Sequence, residues 1–237
     1  MSSMITVALV GADGSGKTTV SRRLLESLPL PSKYYYMGVN SNSGNLVLPT
    51  TQILRKIRRA RGIKPRYGPP DPDRVKAPSK NRIIRWALSL KSLLGMINQM
   101  AEEWVRQGVV WYYQRRGYII LLDRHIFLDC YAHEIAGDGT DRPLHKRLHG
   151  WMLKHFFPKP DLVICLDAPA EVLVHRKVEG SLALRERRRQ EYLELSNVVN
   201  NFAIVDAAQS EDEVTRRIAD IILNFYLARI GKPATSQ

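Results

Sequence analysis

The sequence predicts an α/β protein built around a five-stranded parallel sheet, and three observations predict it. Short β-branched or aromatic runs alternate with longer stretches of helical period, the pattern of successive βα units. Two of the runs, YIILL at 118–122 and LVICL at 162–166, are apolar throughout, as central strands buried on both faces must be. The first run passes straight into a glycine-rich turn that opens a helix.

Taken in order, strand one spans Ile5–Val10 and its helix Lys17–Leu28; strand two spans Lys33–Met37. A long connection follows, with helical patterns over Gln52–Ala60 and Ile83–Arg115. The Pro, Gly and charge of its middle, residues 62–80, predict a mobile segment. Ile83, Ala87, Leu90, Leu94, Ile97, Ala101 and Trp104 recur at alternating spacings of four and three, which places them along one helix face. That stripe is expected to pack against the sheet, with part of it open as the seam of a homodimer through the 83–104 helix. Strand three is Tyr118–Leu122, followed by helices Phe127–Ala136 and Pro143–Phe157. Strand four, Leu162–Asp167, leads into helices Ala170–Val178 and Leu184–Val199, and strand five, Phe202–Val205, into Glu211–Arg229.

A chain of 237 residues fits one domain, 1–237, and its 44% hydrophobic and 25% charged content is globular and excludes general disorder. No apolar run approaches the roughly 18 residues of a membrane span, and Ile5–Val10 is too short for a secretory leader core. Cys130 and Cys165 are the only cysteines, so no disulfide framework is implied and a reducing cytoplasm is the expected compartment. The formal charge is +13, yet Thr51–Lys91 alone holds thirteen Lys or Arg against Asp71 and Asp73, a net +11; the rest of the chain is at +2. The excess is therefore a local arm, 51–91, and not a property of the whole surface. Three roles are open to it: a solvated insertion, a cover over an anionic acceptor, or contact with an anionic membrane or nucleic acid.

After strand one stands Gly11-Ala12-Asp13-Gly14-Ser15-Gly16-Lys17-Thr18-Thr19, which fits G-x-x-x-x-G-K-[ST]. Glycines let successive backbone N–H groups curl around phosphate oxygens where side chains would obstruct them. The helix starting at Lys17 aims the positive end of its dipole at the same anion. Lys17 suits the β- and γ-phosphates, and the Thr18 hydroxyl suits Mg²⁺. A nucleoside triphosphate is the expected ligand. A GTPase would add an N-K-x-D base reader and a D-x-x-G switch, and neither stands in place. At the end of strand three comes Asp123-Arg124-His125 instead. An acid at a strand's carboxyl edge beside the phosphate loop is where a Mg²⁺ ligand belongs, and an adjacent arginine can fork onto a phosphate.

With these motifs the sequence resembles thymidylate kinase and its relatives among the nucleoside and nucleotide kinases. The resemblance covers most of the chain outside 38–100. It rests on GADGSGKTT, LLDRH, and Pro160-Asp161-Leu162-Val163-Ile164-Cys165-Leu166-Asp167 followed by Glu171 and Arg176. It continues through LRERRRQEYLEL to Val205-Asp206-Ala207-Ala208-Gln209-Ser210. It implies a three-layer P-loop fold with strand order 2-3-1-4-5, helices on both faces and an arginine-rich lid over 179–190, hinged near Gly180-Ser181. It also implies ATP with Mg²⁺ and transfer of the γ-phosphoryl to a nucleotide-like acceptor, a thymidylate-like nucleoside monophosphate first. Because loop positions Asp13 and Ser15 carry no arginine, the lid is the implied source; Arg185 and Arg189, one helical turn apart on one face, are first choices. Arg176 matches the position that stacks on adenine, and Asp206, Ala207 and Ala208 match the loop that contacts the base. Asp13 matches an acid that approaches the acceptor sugar or assists the catalytic arrangement; simple loop capping is the alternative.

Two acceptor-side motifs depart from the family. Its R-E-P-G-G turn, which grips the thymidylate phosphate, is here Tyr35-Tyr36-Met37-Gly38-Val39-Asn40-Ser41, and its Ser and Ala-Tyr-Gln after D-R-Y are replaced by HIFLDCYAH, ending Ala132-His133. A kinase for a sugar or lipid-linked acceptor is thus one alternative, and a nucleotide-switched module docking on membrane or nucleic acid a second. His145 and His149 have the spacing of a metal clip but no third ligand, so an amphipathic helix surface is expected there. Cys130 and Cys165 are expected as buried thiols.

Overall fold

The computed structural model describes residues 4–39, 51, 52, 56, 60, 82–137, 140–176 and 181–231. The basic arm lies for most of its length outside them, its 62–80 middle entirely, as does Gly180 of the expected hinge. The apolar runs form β1 (Thr6–Val10), β2 (Ser32–Tyr36), β3 (Ile119–Asp123), β4 (Leu162–Asp167) and β5 (Phe202–Asp206). They make one parallel sheet in the order β2-β3-β1-β4-β5, as expected from the sequence. β1 is paired on both sides, Leu9 opposite Asp123 and also opposite Ile164, so its backbone is fully used and its side chains are buried.

Helices α1 (Lys17–Ser27), α2 (Arg82–Arg115), α3 (Ile126–Cys130), α4 (Leu144–His155), α5 (Ala170–Arg176), α6 (Leu182–Leu193) and α7 (Glu211–Ile230) complete the fold. Alternate side chains point to opposite faces of a strand, so each strand feeds two cores. Leu9, Leu121 and Ile164 pack with Leu24 of α1 and Ile218 and Ile222 of α7. Val10, Leu122 and Val163 pack with Val110 of α2, Phe127 of α3 and Leu153 of α4. Each such buried side chain contributes about 1.5–3 kcal/mol. No described helix is long and apolar enough to cross a membrane. Both cysteines are free and buried.

Three expectations need correction. The Phe127–Ala136 helix is α3 followed by a π-helical turn, Tyr131–Ile135, and the Leu184–Val199 helix ends at Leu193, continuing as a 3-10 turn over Glu194–Asn197. Over the middle of α2 the apolar stripe does not face the sheet: Leu90, Leu94 and Ile97 are 44%, 58% and 52% exposed, and of the stripe's described large side chains Trp104 packs against the core. Its inward face carries Glu102, Glu103, Arg106 and Gln107, all buried, and Val110. The helical period was legible, but this part of α2 overhangs polar groups at the sheet's edge and turns polar side chains toward them.

His149 is the third correction. It is buried, with Nε2 2.9 Å from Glu103 Oε2 and Nδ1 2.5 Å from Glu134 Oε2, so it staples α4 to α2 and to the π turn. Gly150 makes this approach feasible, because a Cβ there would collide with the Glu134 carbonyl. Cys130 joins the cluster, its sulfur and donor atoms of Glu134 and His149 lying within 4.8 Å of one another. Burial disfavours the imidazolium, but the hydrogen bonds and charges of Glu103 and Glu134 outweigh it and raise His149 to about 9. A histidine raised above its unfolded value of about 6.5 contributes stability that is fully present below that value and is lost as pH rises through about 9. Glu103→Gln is expected to lower stability by about 1–3 kcal/mol near neutral pH and to flatten this loss. Urea unfolding across the range checks it; an unaltered pH slope would contradict it.

Candidate active site

The loops that follow β1, β3 and β4 open on the same edge of the sheet, where open α/β sheets bind ligands. Gly11, Gly14 and Gly16 have φ of 141°, 95° and 87°, conformations that side chains resist. A Cβ on Gly14 would also come within 2.8 Å of the Leu173 carbonyl, so the loop lies directly on α5. Lys17 folds back over this loop, its Nζ donating to the Gly11 and Ala12 carbonyls at 2.8 Å each and to Ser15 Oγ at 3.3 Å. Burial, then the Arg124 charge, lower its pKa to about 8; Asp13, Asp123 and Asp129 oppose the shift.

Asp123 ends β3, buried, beside the first turn of α1. Its Oδ2 accepts from Thr18 Oγ1 at 2.6 Å and from Tyr34 at 2.9 Å, while Oδ1 is buried without a hydrogen-bond partner. A hydroxyl beside a carboxylate with one unpaired oxygen is a hard-oxygen set that fits Mg²⁺; Thr18 and Asp123 are the residues that would hold it.

Arg124 is the one described non-glycine residue with positive φ, 68°. That turn sends its side chain back across the loop, where it pairs with the Asp13 carboxylate. It also donates to the Tyr192 hydroxyl at 3.2 Å and lies 4.0 Å from Asp129, which accepts from Tyr192 at 2.8 Å. Burial disfavours its charge, but Tyr192, Asp129 and Asp13 hold the guanidinium above its usual range. Burial outweighs Arg124 at Asp129 and pushes that carboxyl up. His125 points away into the core, its ring edge-on to Phe157 at 5.7 Å, and burial lowers it to about 3, so it packs as a neutral ring.

The arginines of α6 reach different anchors. Arg185 is buried and donates to the Asp13 carbonyl, over the loop. Arg189 forks onto Asp167 at the end of β4, Nε to Oδ1 at 2.6 Å and Nη2 to Oδ2 at 2.9 Å. Arg187 and Arg188 pair with Glu191. On the other side of the loop is a cavity of about 270 Å³ lined by Gly14, Ser15, Gly16, Thr19, Arg176 and Ala207, with Arg176 donating to the Ala207 carbonyl at 2.7 Å. Asp206 turns into its own loop and accepts from the Ala208 N–H at 2.9 Å. Asp13, far from capping only its own loop, bridges to Arg124.

Sequence reasoning gave no role to Tyr34, Asp129, Tyr192, Glu102 or Arg106. Asp129 and Tyr192 lie inside motifs that were read, but their pairing depends on where α6 ends. Tyr34 could have been found from strand alternation, since Tyr34 and Asp123 are on adjacent strands.

No family model matches the chain. Along its length it is similar to proteins named as thymidylate kinases. The Pseudoalteromonas translucida thymidylate kinase is 28% identical over 229 residues, covering 93% of this chain and 96% of its own. A probable thymidylate kinase 1 of Saccharolobus solfataricus is 27% identical over 222 residues, 91% and 95% of the two chains. A probable thymidylate kinase of Sulfolobus acidocaldarius is 25% identical over 232 residues, 94% and 98%. The chain is thymidylate kinase-like. The likeness in this thymidylate kinase-like chain therefore spans the divergent region after β2 as well as the phosphate loop.

A phosphate against Lys17 favours its charged form, so Mg·ATP binding near the lowered pKa of about 8 is expected to take up protons there and to weaken as pH rises further. Calorimetric titration in buffers of different ionisation enthalpy measures the uptake. It should vanish in Lys17→Met; no buffer dependence in the unaltered protein would contradict the assignment.

Proposed function

We propose that the protein is a kinase that moves the γ-phosphoryl group of Mg·ATP to a nucleoside monophosphate, thymidylate-like acceptors first. The observation that supports this most is the convergence of Lys17, the Thr18–Asp123 pair and Arg185 on one phosphate loop. Loop N–H groups and the α1 dipole hold the polyphosphate, and Lys17 exchanges loop carbonyls for phosphate oxygens. Thr18 and Asp123 would hold Mg²⁺, which would supply positive charge to the polyphosphate. An acceptor phosphate oxygen attacks the γ-phosphorus in line as the bond to the β-phosphate oxygen breaks, and ADP leaves. Such a reaction asks the protein for position and charge rather than covalent work. Arg124 and Arg185 both attach to Asp13, one at its carboxylate and one at its carbonyl, so two guanidiniums stand at the loop mouth. The base would occupy the cavity beside Arg176.

A nucleotide acceptor is what the relatives' names suggest. A sugar or lipid-linked acceptor is a second reading, favoured by the turn after β2, where Met37-Gly38-Val39 carries no arginine. An acceptor panel followed by ADP release separates them: turnover with thymidylate at ordinary kinase rates supports the first, and turnover confined to non-nucleotide acceptors replaces it. In the same assay Arg185→Ala is expected to lower kcat on the order of 10³-fold with little change in KM for ATP. An undiminished kcat would remove Arg185 from the mechanism.

A further inference from the structure

Helices α3 and α4 meet at the π-helical turn Tyr131–Ile135, a rare conformation that concentrates at functional sites. Four chemistry-bearing side chains gather there, apart from the phosphate loop. Cys130 closes α3, Glu134 lies in the π turn, His149 comes from α4 and Glu103 from α2. The Cys130 sulfur, a Glu134 carboxylate oxygen and a His149 ring nitrogen all lie within 4.8 Å of one another. Short side chains meet this closely only if their backbones do, and a Cβ on Gly150 would stand 2.0 Å from the Glu134 carbonyl oxygen. The two ring nitrogens face different groups. Nε2 lies 2.9 Å and 3.2 Å from the two Glu103 oxygens, and Gln99 in turn donates to Glu103 at 2.9 Å. Nδ1 faces Glu134. A staple between helices needs the histidine and its carboxylates but has no use for a sulfur. Without a cation, burial and the charges of Glu134 and Glu103 all push the Cys130 thiol up, so it stays protonated beside them.

We propose that Cys130, Glu134 and His149 Nδ1 bind a zinc-class divalent ion, with Glu103 as the outer carboxylate on His149 Nε2. The donor set decides the class. A thiolate, an imidazole and a carboxylate suit zinc, whereas Mg²⁺ and Ca²⁺ take oxygen donors. A ligating histidine characteristically gives its other ring nitrogen to a carboxylate, which fixes the ring and its tautomer, and Glu103 stands in that place. The ion displaces two protons, one from the thiol and one from Nδ1, so the cluster keeps its net charge while the sulfur becomes a thiolate. Tetrahedral bonds of about 2.0–2.3 Å set neighbouring donors roughly 3.3–3.6 Å apart. The 2.5 Å contact between Glu134 and His149 must therefore open, and Glu134, the one member of the cluster that is not fully buried, has room to move. Three protein donors leave the fourth position to water. The ion would tie the end of α3, next to Asp129, to α4; the inference is independent of the kinase reading.

The test is titration of the chelator-stripped full chain with Zn²⁺ and, separately, with Co²⁺, in excess Mg²⁺ so that the oxygen donors of Thr18 and Asp123 do not compete. The unaltered protein is expected to bind one equivalent, and its thermal midpoint to rise with Zn²⁺ concentration. Co²⁺ should give a near-ultraviolet thiolate charge-transfer band together with the visible absorption of a tetrahedral ion. Cys130→Ser should abolish that band and the Zn²⁺-dependent rise in midpoint. Glu103→Gln should weaken Zn²⁺ binding by about 10- to 100-fold and keep the band. Cys165 is the only other thiol in the chain, so Cys165→Ala should keep the band as well. That variant decides the matter should Cys130→Ser fail to fold, because a thiolate band in it can arise only from Cys130. No thiolate band in the unaltered protein, a band that persists in Cys130→Ser, or one lost from folded Cys165→Ala overturns the inference and leaves His149 a staple alone.

Discussion

The hydroxyl of Thr18 on the carboxylate of Asp123 ties the first turn of α1 to the end of β3, and the site is organised around that bond. It exists because β1 and β3 pair in parallel with Leu9 opposite Asp123. That register brings the strand-end acid level with the loop that β1 feeds. A slip of one residue would send Asp123 to the opposite face of the sheet and leave Thr18 without its acceptor. Tyr34, from the neighbouring edge strand, closes the same carboxylate from the other side. Three strands and one helix therefore fix the single oxygen that is left unpaired.

Around this point the molecule concentrates cations that it only partly neutralises. Lys17 is crowded by burial and by Arg124, and Arg124 is held by Asp13, Asp129 and Tyr192. Tyr192 belongs to α6 and Asp129 to α3, so the orientation of Arg124 is shared between these two helices. Arg185 fastens α6 to the Asp13 carbonyl. Helix α6 thus meets the loop at two places, near its start through Arg185 and near its end through Tyr192, with Asp13 or its pairing partner at both.

The strands, the phosphate loop and the strand-end Asp123-Arg124 pair were legible in the sequence because each follows from local rules: period, glycine conformation, and the place where a strand must end. The inward face of α2 was not legible. Apolar periodicity marks a face as distinct but does not say which way it turns, and Leu90, Leu94 and Ile97 turn outward because the groups opposite α2 are polar. His149 was misplaced for a related reason. Its partners Glu103 and Glu134 come from two other elements, one of them a π turn that no short-range pattern announces. Arg106 was missed because a helical reading counts apolar positions and passes over a buried cation between them.

The most direct measurement is a crystal structure grown with Mg·ADP. The account predicts the β-phosphate cradled by the amides of Gly14 to Thr18, Lys17 Nζ moved from the Gly11 and Ala12 carbonyls onto phosphate oxygen, and the metal between Thr18 and Asp123. Nucleotide bound elsewhere, or Lys17 still held by its own loop beneath a bound nucleotide, would contradict it.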